Sequence, residues 1–341
     1  MISPATQDTL FLRSARTTYR TLRAGHRQLR RLKNSLCNLV DVPLIILIYH
    51  RVIALPSDPE MIAVSPRNFS GQLDYLKRHY RIVRFDEDWS EIREPAVAIT
   101  FDDGYADNLL EALPILEEVG VPATFFVSTA HIGTDRLFWW HRLETLLLRA
   151  GEFPSRFELR DPSFGRCWET GSLAQRRVLY VSLGMLMRRI ESDRQDAWLN
   201  QLQEWAGCTP SCEERHRLMN REELRRLAES PWATIGAHTV SHTALSALPA
   251  AQQRQEIFSS KAELEDLTGQ EIATFSYPFG RKNEYNRTSV ELCRQAGFTR
   301  AAANFPGQVH RWSDPLQLPR HLVRNWELET FAGQMRGFWT R

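Results

Sequence analysis

The chain has 341 residues, of which 43% are hydrophobic and 25% charged, the balance of a soluble globular protein with one large domain or two ordinary ones. A formal net charge of +2 is too small to argue for an acidic partner. The five cysteines, Cys37, Cys167, Cys208, Cys212 and Cys293, are an odd number scattered along a long chain, which fits reduced thiols better than a disulfide framework.

Residues 1–41 read as a basic N-terminal arm. Arg13, Arg16, Arg20, Arg23, Arg27, Arg30, Arg31 and Lys33 oppose Asp8 alone, so residues 1–40 carry +7 and the remainder −5. A basic helix can lie on anionic lipid headgroups or on nucleic acid, since both present dense negative charge. The plainer reading is a solvated helix packed outside the main domain, with nucleic acid the less favoured partner. The arm lacks the continuous apolar stretch of a secretory leader, so a cytoplasmic protein is expected, with peripheral contact at the inner face of the membrane as the alternative role for the arm. The first strongly apolar run, VPLIILIYH at 42–50, is too short to span a bilayer and reads as a buried strand.

From residue 42 onward, short β-branched or apolar runs alternate with helical stretches, the pattern of a parallel sheet with helices outside it. Strands are predicted at 43–49, 82–85, 96–101, 122–127, 233–237, 272–277, 298–303 and 317–323, and helices at 66–79, 107–119, 220–229, 250–267 and 287–296. The stretch 131–216 breaks the rhythm, with helical spacing around 141–150 and 173–205, and reads as an insertion at the rim. Within it, FWWHRLE at 138–144 brings Trp139 and Trp140, whose faces can stack on a sugar ring, although aromatics so spaced are more often core. The domain is expected to span 42–330, followed by a tail at 331–341.

Three motifs are candidates to carry chemistry, although Asp-Asp-Gly is also an ordinary polar turn and the third motif, read alone, is just a turn. TFDDGY at 100–105 follows the apolar run AVAI, so Asp102 and Asp103 leave the C-terminal end of a buried strand, where parallel sheets hold their reactive groups. Adjacent carboxylates there are costly unless a cation or a shared proton offsets their repulsion. GAHTVSH at 236–242 sets His238 and His242 four residues apart, and in a helical turn both imidazoles reach one metal ion. One carboxylate with two imidazoles leaves a position open, as in a catalytic zinc-like site, and the second aspartate can then serve as general base. FSYPFG at 275–280 is a tight turn whose Phe279 N–H could point toward a developing oxyanion.

These motifs in this order resemble the polysaccharide deacetylases that share the NodB homology domain, a carbohydrate esterase family 4 type. TFDDGY is similar to the family's first motif, HTVSH to its second and SYPFG to a variant of its third. IYHRV at 48–52 and LPRHLVRN at 318–325 resemble the first and last strands of the bacterial exopolysaccharide branch. The resemblance implies a distorted parallel (β/α) barrel of about seven strands, and N-deacetylation of N-acetylhexosamine units in a polysaccharide, oligosaccharide or lipid-linked glycan. It also implies Asp102 as general base, Asp103, His238 and His242 as ligands of a divalent metal, most naturally zinc with cobalt an alternative, and the Phe279 amide as oxyanion donor. Tyr105, Tyr277, Trp139 and Trp140 are candidate substrate contacts.

Two departures from the family pattern stand out. The arginine that orients the base at the start of the third motif is replaced by Ser276, and Arg320 is the candidate substitute. The Leu-x-His general acid is missing, and His50 is the preferred replacement, with His321 behind it because it directly follows Arg320. Without either, Asp102 can return the proton it has gained. Cys208, Cys212 and His216 recur every four residues, but Pro210 interrupts them and a fourth ligand is lacking, so this spacing reads as incidental. The rival readings are a non-catalytic carbohydrate-binding homologue and a hydrolase of another small acyl amide.

Overall fold

The computed structural model describes residues 34, 36–208 and 214–340. The basic arm up to Lys33, with the membrane and nucleic-acid expectations attached to it, lies outside the described residues, as do Pro210 and Cys212. No helix among the described residues is long and apolar enough to cross a membrane. The four described cysteines are free thiols.

The barrel begins with β1 (Leu44–Tyr49) and the two-residue strands β2 (Arg51–Val52) and β3 (Ala63–Val64), followed by α1 (Pro66–His79). Helix α1 starts where sequence dictates: Ser65 accepts from the Asn68 N–H, Pro66 occupies the first turn, and Phe69, Leu73 and Leu76 form its buried stripe. Next come β4 (Arg81–Val83), β5 (Ala96–Phe101), a π-helical turn at Asn108–Ala112, α2 (Leu113–Val119) and β6 (Ala123–Val127).

The insertion contributes α3 (Trp139–Leu148), β7 (Arg156–Asp161), β8 (Phe164–Glu169), α4 (Leu173–Met187) and α5 (Ser192–Ala206). The barrel resumes with α6 (Arg221–Glu229), β9 (Ala233–Ala237), α7 (Ala250–Thr268), β10 (Thr274–Ser276), α8 (Arg287–Gln295), β11 (Arg300–Ala302), β12 (His321–Leu322) and α9 (Leu328–Phe338).

Seven parallel strands run in the order β11-β10-β9-β6-β5-β1-β12. The Ala302↔Leu318 bridge joins β11 to the segment that becomes β12, and Leu47↔His321 joins β12 to β1, so the ring closes into a distorted (β/α) barrel. The short β4 pairs with residues 96–98 of β5 while β6 pairs with residues 100–101 on the same flank.

Strand alternation divides the side chains between two layers. Ile45, Leu47, Tyr49, Val97, Ile99, Phe101 and Phe125 pack outward beneath the helices. Leu44, Ile46, Ala96, Ala98, Phe126, Ala302 and Leu318 form a separate inner cluster. Continued upward by twos, the inner series arrives at His50, Asp102, His238, Ser276 and Arg320, all at the C-terminal mouth. The lumen is therefore apolar at its base and polar at its mouth.

Two expectations are corrected here. The insertion is not helical throughout, since β7 and β8 form an antiparallel hairpin that buries Phe157, Leu159 and Trp168 in the insertion's own core, together with Leu143, Leu179 and Trp198. The boundary at 330 cuts through α9, whose Phe331, Met335 and Phe338 are buried in the main core, so this segment is not a loose tail.

Candidate active site

Asp102 leaves β5 into the barrel mouth, where Arg320 grips it from across the ring. Nη1 donates to Oδ1 and Nη2 to Oδ2, each at 2.7 Å. The remaining guanidinium protons go to Thr100 Oγ1 at 3.1 Å, Ser276 Oγ at 2.8 Å and the Ala303 carbonyl at 2.9 Å. All five donors of a buried arginine are thus satisfied. Ser276 Oγ adds a third bond to Asp102, at 3.1 Å. A carboxylate has about four acceptor positions, so roughly one remains for the proton of a water. Burial is the largest influence on Asp102 and opposes its ionisation, but the charge and hydrogen bonds of Arg320, with His238 and His50 beside it, together hold the carboxyl below its ordinary value.

Asp103 turns the other way, because its backbone adopts φ +82. Its Oδ1 lies 3.2 Å from His242 Nε2 and 3.6 Å from His238 Nε2. His238 Nδ1 lies 2.7 Å from the Ser276 carbonyl, which only accepts, so Nδ1 carries the proton and the Nε2 lone pair of the neutral ring faces Asp103. A lone pair facing a carboxylate at that range needs a proton or a cation between them. Ligand lengths of about 2.0–2.2 Å around a tetrahedral ion put neighbouring donors roughly 3.3 Å apart, close to the separations seen. The buried Asp103, His238 and His242 therefore fit a divalent metal.

Backbone strain concentrates at this site. Among the described residues, Asp103, Thr239, His242 and Phe279 are four of the five non-glycine residues with positive φ, each a conformation that costs free energy and persists only where its surroundings enforce it. Gly104 lets the chain turn directly after Asp103, at φ +86. The π-turn presents Asn108, whose amide donates to the His50 carbonyl at 2.8 Å.

The remaining candidates divide. His50 lines the same cleft and its Nδ1 is buried without a partner. Phe279 lines it too, at φ +58, with its ring against His242 at 4.7 Å. Trp139 and Trp140 form the wall contributed by the insertion, Trp140 lying 5.1 Å from the His242 ring.

Three candidates are not brought to the cleft. His321 follows Arg320 on a strand, so it points outward, stacks on Phe338 at 4.0 Å and reaches the Gly307 carbonyl. Tyr105 is wholly buried, its hydroxyl 2.8 Å from His141 Nε2 and accepting from Trp140 Nε1 at 2.9 Å. Tyr277 packs in the outer core against Tyr285 and donates to the Leu316 carbonyl. Neither tyrosine has a face free for a sugar.

Sequence reasoning missed Glu60, Arg188, Arg281, Asn304 and Arg324 in the cleft lining. The signal for Arg324 was present: Arg320, Leu322 and Arg324 alternate along one strand direction. A second cluster, His141, Glu144 and His216, also has ligand atoms close together. Arg51 Nη1 lies 3.0 Å from His216 Nδ1; since an arginine only donates, that nitrogen's lone pair is engaged and the proton of the neutral ring sits on Nε2. With Arg51 held by Asp107, this group is a hydrogen-bonded seam between barrel and insertion, not a metal site.

The sequence matches the family model of polysaccharide deacetylases over residues 90–154 and 199–301, which embraces the Asp102–Asp103, His238–His242 and Phe279 segments. YxkH of Bacillus subtilis (strain 168), which carries a polysaccharide deacetylase name, is 22% identical over 218 residues, covering 64% of this chain and 48% of its own. The chain thus spans about half the length of that curated relative. Among solved structures, IcaB from Ammonifex degensii aligns with a TM-score of 0.55 at 19% identity, covering 88% of this chain and 98% of its own. The Streptococcus pyogenes deacetylase PplD in complex with acetate aligns with a TM-score of 0.54 at 17% identity, covering 86% and 99%. These likenesses show a shared fold, and the matched family model identifies a polysaccharide deacetylase domain in this chain.

Proposed function

We propose that the chain hydrolyses the acetamide of N-acetylhexosamine units in a glycan, releasing acetate and a free amine. The observation that carries this reading is the pair of adjacent carboxylates with divided roles: Asp102 clamped by Arg320, and Asp103 turned toward His238 and His242. Asp103, His238 and His242 would hold the divalent ion, zinc by its donor set, which supplies Lewis acidity toward the acetamide carbonyl and toward water.

Asp102 takes the proton of the attacking water, and Arg320 keeps that carboxylate ionised and oriented. The Phe279 N–H, for which no hydrogen bond within the protein is found among the described residues, donates to the oxyanion. His50, lining the cleft, gives a proton to the departing amine, and Asp102 is the alternative source. Trp139 and Trp140 offer a wall against which the sugar ring packs. The acetate held by a solved deacetylase of the same fold is in keeping with an acetyl substrate.

The binding-only alternative drew on the missing arginine of the third motif and on the missing general-acid histidine; Arg320 at 2.7 Å from Asp102 answers the first, and His50, lining the cleft, is the candidate for the second. Hydrolysis of another small acyl amide separates from deacetylation by comparing formate with acetate release. The location, the exopolysaccharide branch and the arm's membrane contact are proposals of the same kind; binding of anionic vesicles that is lost on deleting residues 1–40 tests the last.

The deciding experiment measures acetate release from N-acetylglucosamine oligomers by zinc- or cobalt-loaded protein, with Asp102→Asn and His238→Ala alongside. Both variants are expected to lose turnover, and only His238→Ala to lose bound metal. No acetate from metal-loaded natural protein would sink the assignment for these substrates.

A further inference from the structure

The cleft carries more positive charge than hydrolysis of a neutral acetamide uses. Arg188 just beyond α4, Arg281 beyond the third motif and Arg324 beyond β12 all line it. Besides the Asp102–Asp103 pair, Glu60 is the one carboxylate among the described lining residues. Glu60 is already engaged, accepting from the Tyr180 hydroxyl at 2.6 Å and lying 3.6 Å from Arg188 Nη2.

Among the described residues, the three guanidinia are incompletely satisfied. Arg188 sits over the Phe279 ring at 5.0 Å with its Nε buried and unpartnered, an unfavourable state for a charged donor that no ligand answers. Arg324 uses Nη1 on the Met61 carbonyl at 2.7 Å. No side-chain hydrogen bond or ion pair is found for Arg281 among the described residues, and it is exposed at the mouth. With Asp102 neutralised by Arg320 and Asp103 facing the two imidazoles, three arginines confront one carboxylate that is already paired.

We propose that the cleft selects an acetamido sugar that bears an anionic group next to it, a carboxylate or a phosphate, and that Arg188, Arg281 and Arg324 receive that group. The planar guanidinium fork matches both oxyanions and binds them through charge-assisted hydrogen bonds. Two sources supply this chemistry: a uronic acid neighbouring the N-acetylated unit, or a phosphate at the reducing end of a glycosyl carrier. The inference rests on the reading above for the acetamide and stands apart from it for the anion.

The test compares three substrates with zinc-loaded full-length protein: a neutral N-acetylglucosamine oligomer, an oligosaccharide with alternating glucuronate, and N-acetylglucosamine 1-phosphate. At least one acidic substrate should exceed the neutral one in kcat/KM by about tenfold or more, and the preference should shrink with added salt. Arg281→Gln should reduce the acidic-to-neutral ratio by about tenfold, and Arg281→Lys should restore part of it. The uronate and phosphate arms identify the source. Equal or greater efficiency on the neutral oligomer overturns the proposal while leaving deacetylation intact. If no substrate releases acetate, calorimetry of the same ligands decides: acidic binding lost in Arg281→Gln upholds the anion site and fails the hydrolase reading, whereas equal affinity for acidic and neutral ligands overturns the anion site.

Discussion

Arg320 and Asp102 are 218 residues apart in sequence and meet through two parallel hydrogen bonds of 2.7 Å. Removing the guanidinium would strand a buried carboxylate, which costs about 3–5 kcal/mol when the partner of such a pair is lost. Arg320→Met should therefore lower the unfolding free energy by that order and raise the Asp102 carboxyl toward neutrality. A base that is protonated at higher pH moves the acid limb of the pH–rate profile upward. An unshifted limb in Arg320→Met, at unchanged metal content, would refute Arg320 as the orienting cation. The aspartates and histidines were legible in sequence because their motifs are short and local, and Arg320 was legible as a substitute. The outward turn of His321 follows from strand alternation alone, once Arg320 is known to face inward.

The turn after β10 shows how an element carries the site. Gly280 adopts φ +64, and a Cβ there would lie 2.5 Å from the Asn304 backbone nitrogen. The Gly280 carbonyl accepts from that same Asn304 N–H at 2.8 Å, so the turn is pinned to the segment after β11. Gly280→Ala cannot be accommodated without moving the neighbouring Phe279, and should cost about 1–3 kcal/mol of stability. Turnover should fall by about tenfold or more, since small displacements of positioned groups are costly, while metal content stays near that of the natural protein. Unchanged turnover would argue that the Phe279 amide takes no part. At this scale the barrel strands were readable as apolar runs between turn residues, their predicted and observed limits differing by a few residues. The β7–β8 hairpin was not, although Phe157 and Leu159 alternate with charged residues, because the long helical spacing on its C-terminal side dominates the reading of the whole insertion.

The whole molecule has a main core beneath the barrel helices and a second core within the insertion, and their seam contains buried imidazoles. His141 and His216 lie ring against ring at 4.3 Å, beside the Arg51–Asp107 pair. No sequence motif announces this seam, since its members come from residues 51, 107, 141 and 216 and meet only on folding. Burial pushes His141 down to about 3 and His216 down to about 4, with the Arg51 charge adding to both. In the unfolded chain each takes up a proton near pH 6.5. Above that pH both states are neutral and the pair adds no pH dependence. Below it the unfolded state binds protons that the folded state refuses, so stability falls with decreasing pH, by up to about 1.4 kcal/mol per pH unit for each imidazole. The loss continues until the folded protein itself protonates, near pH 4 for His216 and near pH 3 for His141. Urea unfolding at pH 7, 6 and 5 should show a decline beginning below 6.5, in a window above the range where ordinary carboxylates titrate. His141→Gln, which keeps a hydrogen-bonding group opposite Tyr105, should flatten that decline by about 1.4 kcal/mol per pH unit. His216→Gln should do the same from the other side of the seam. A slope unchanged in both variants would mean that the seam opens before the barrel unfolds and that the two cores do not melt as one unit.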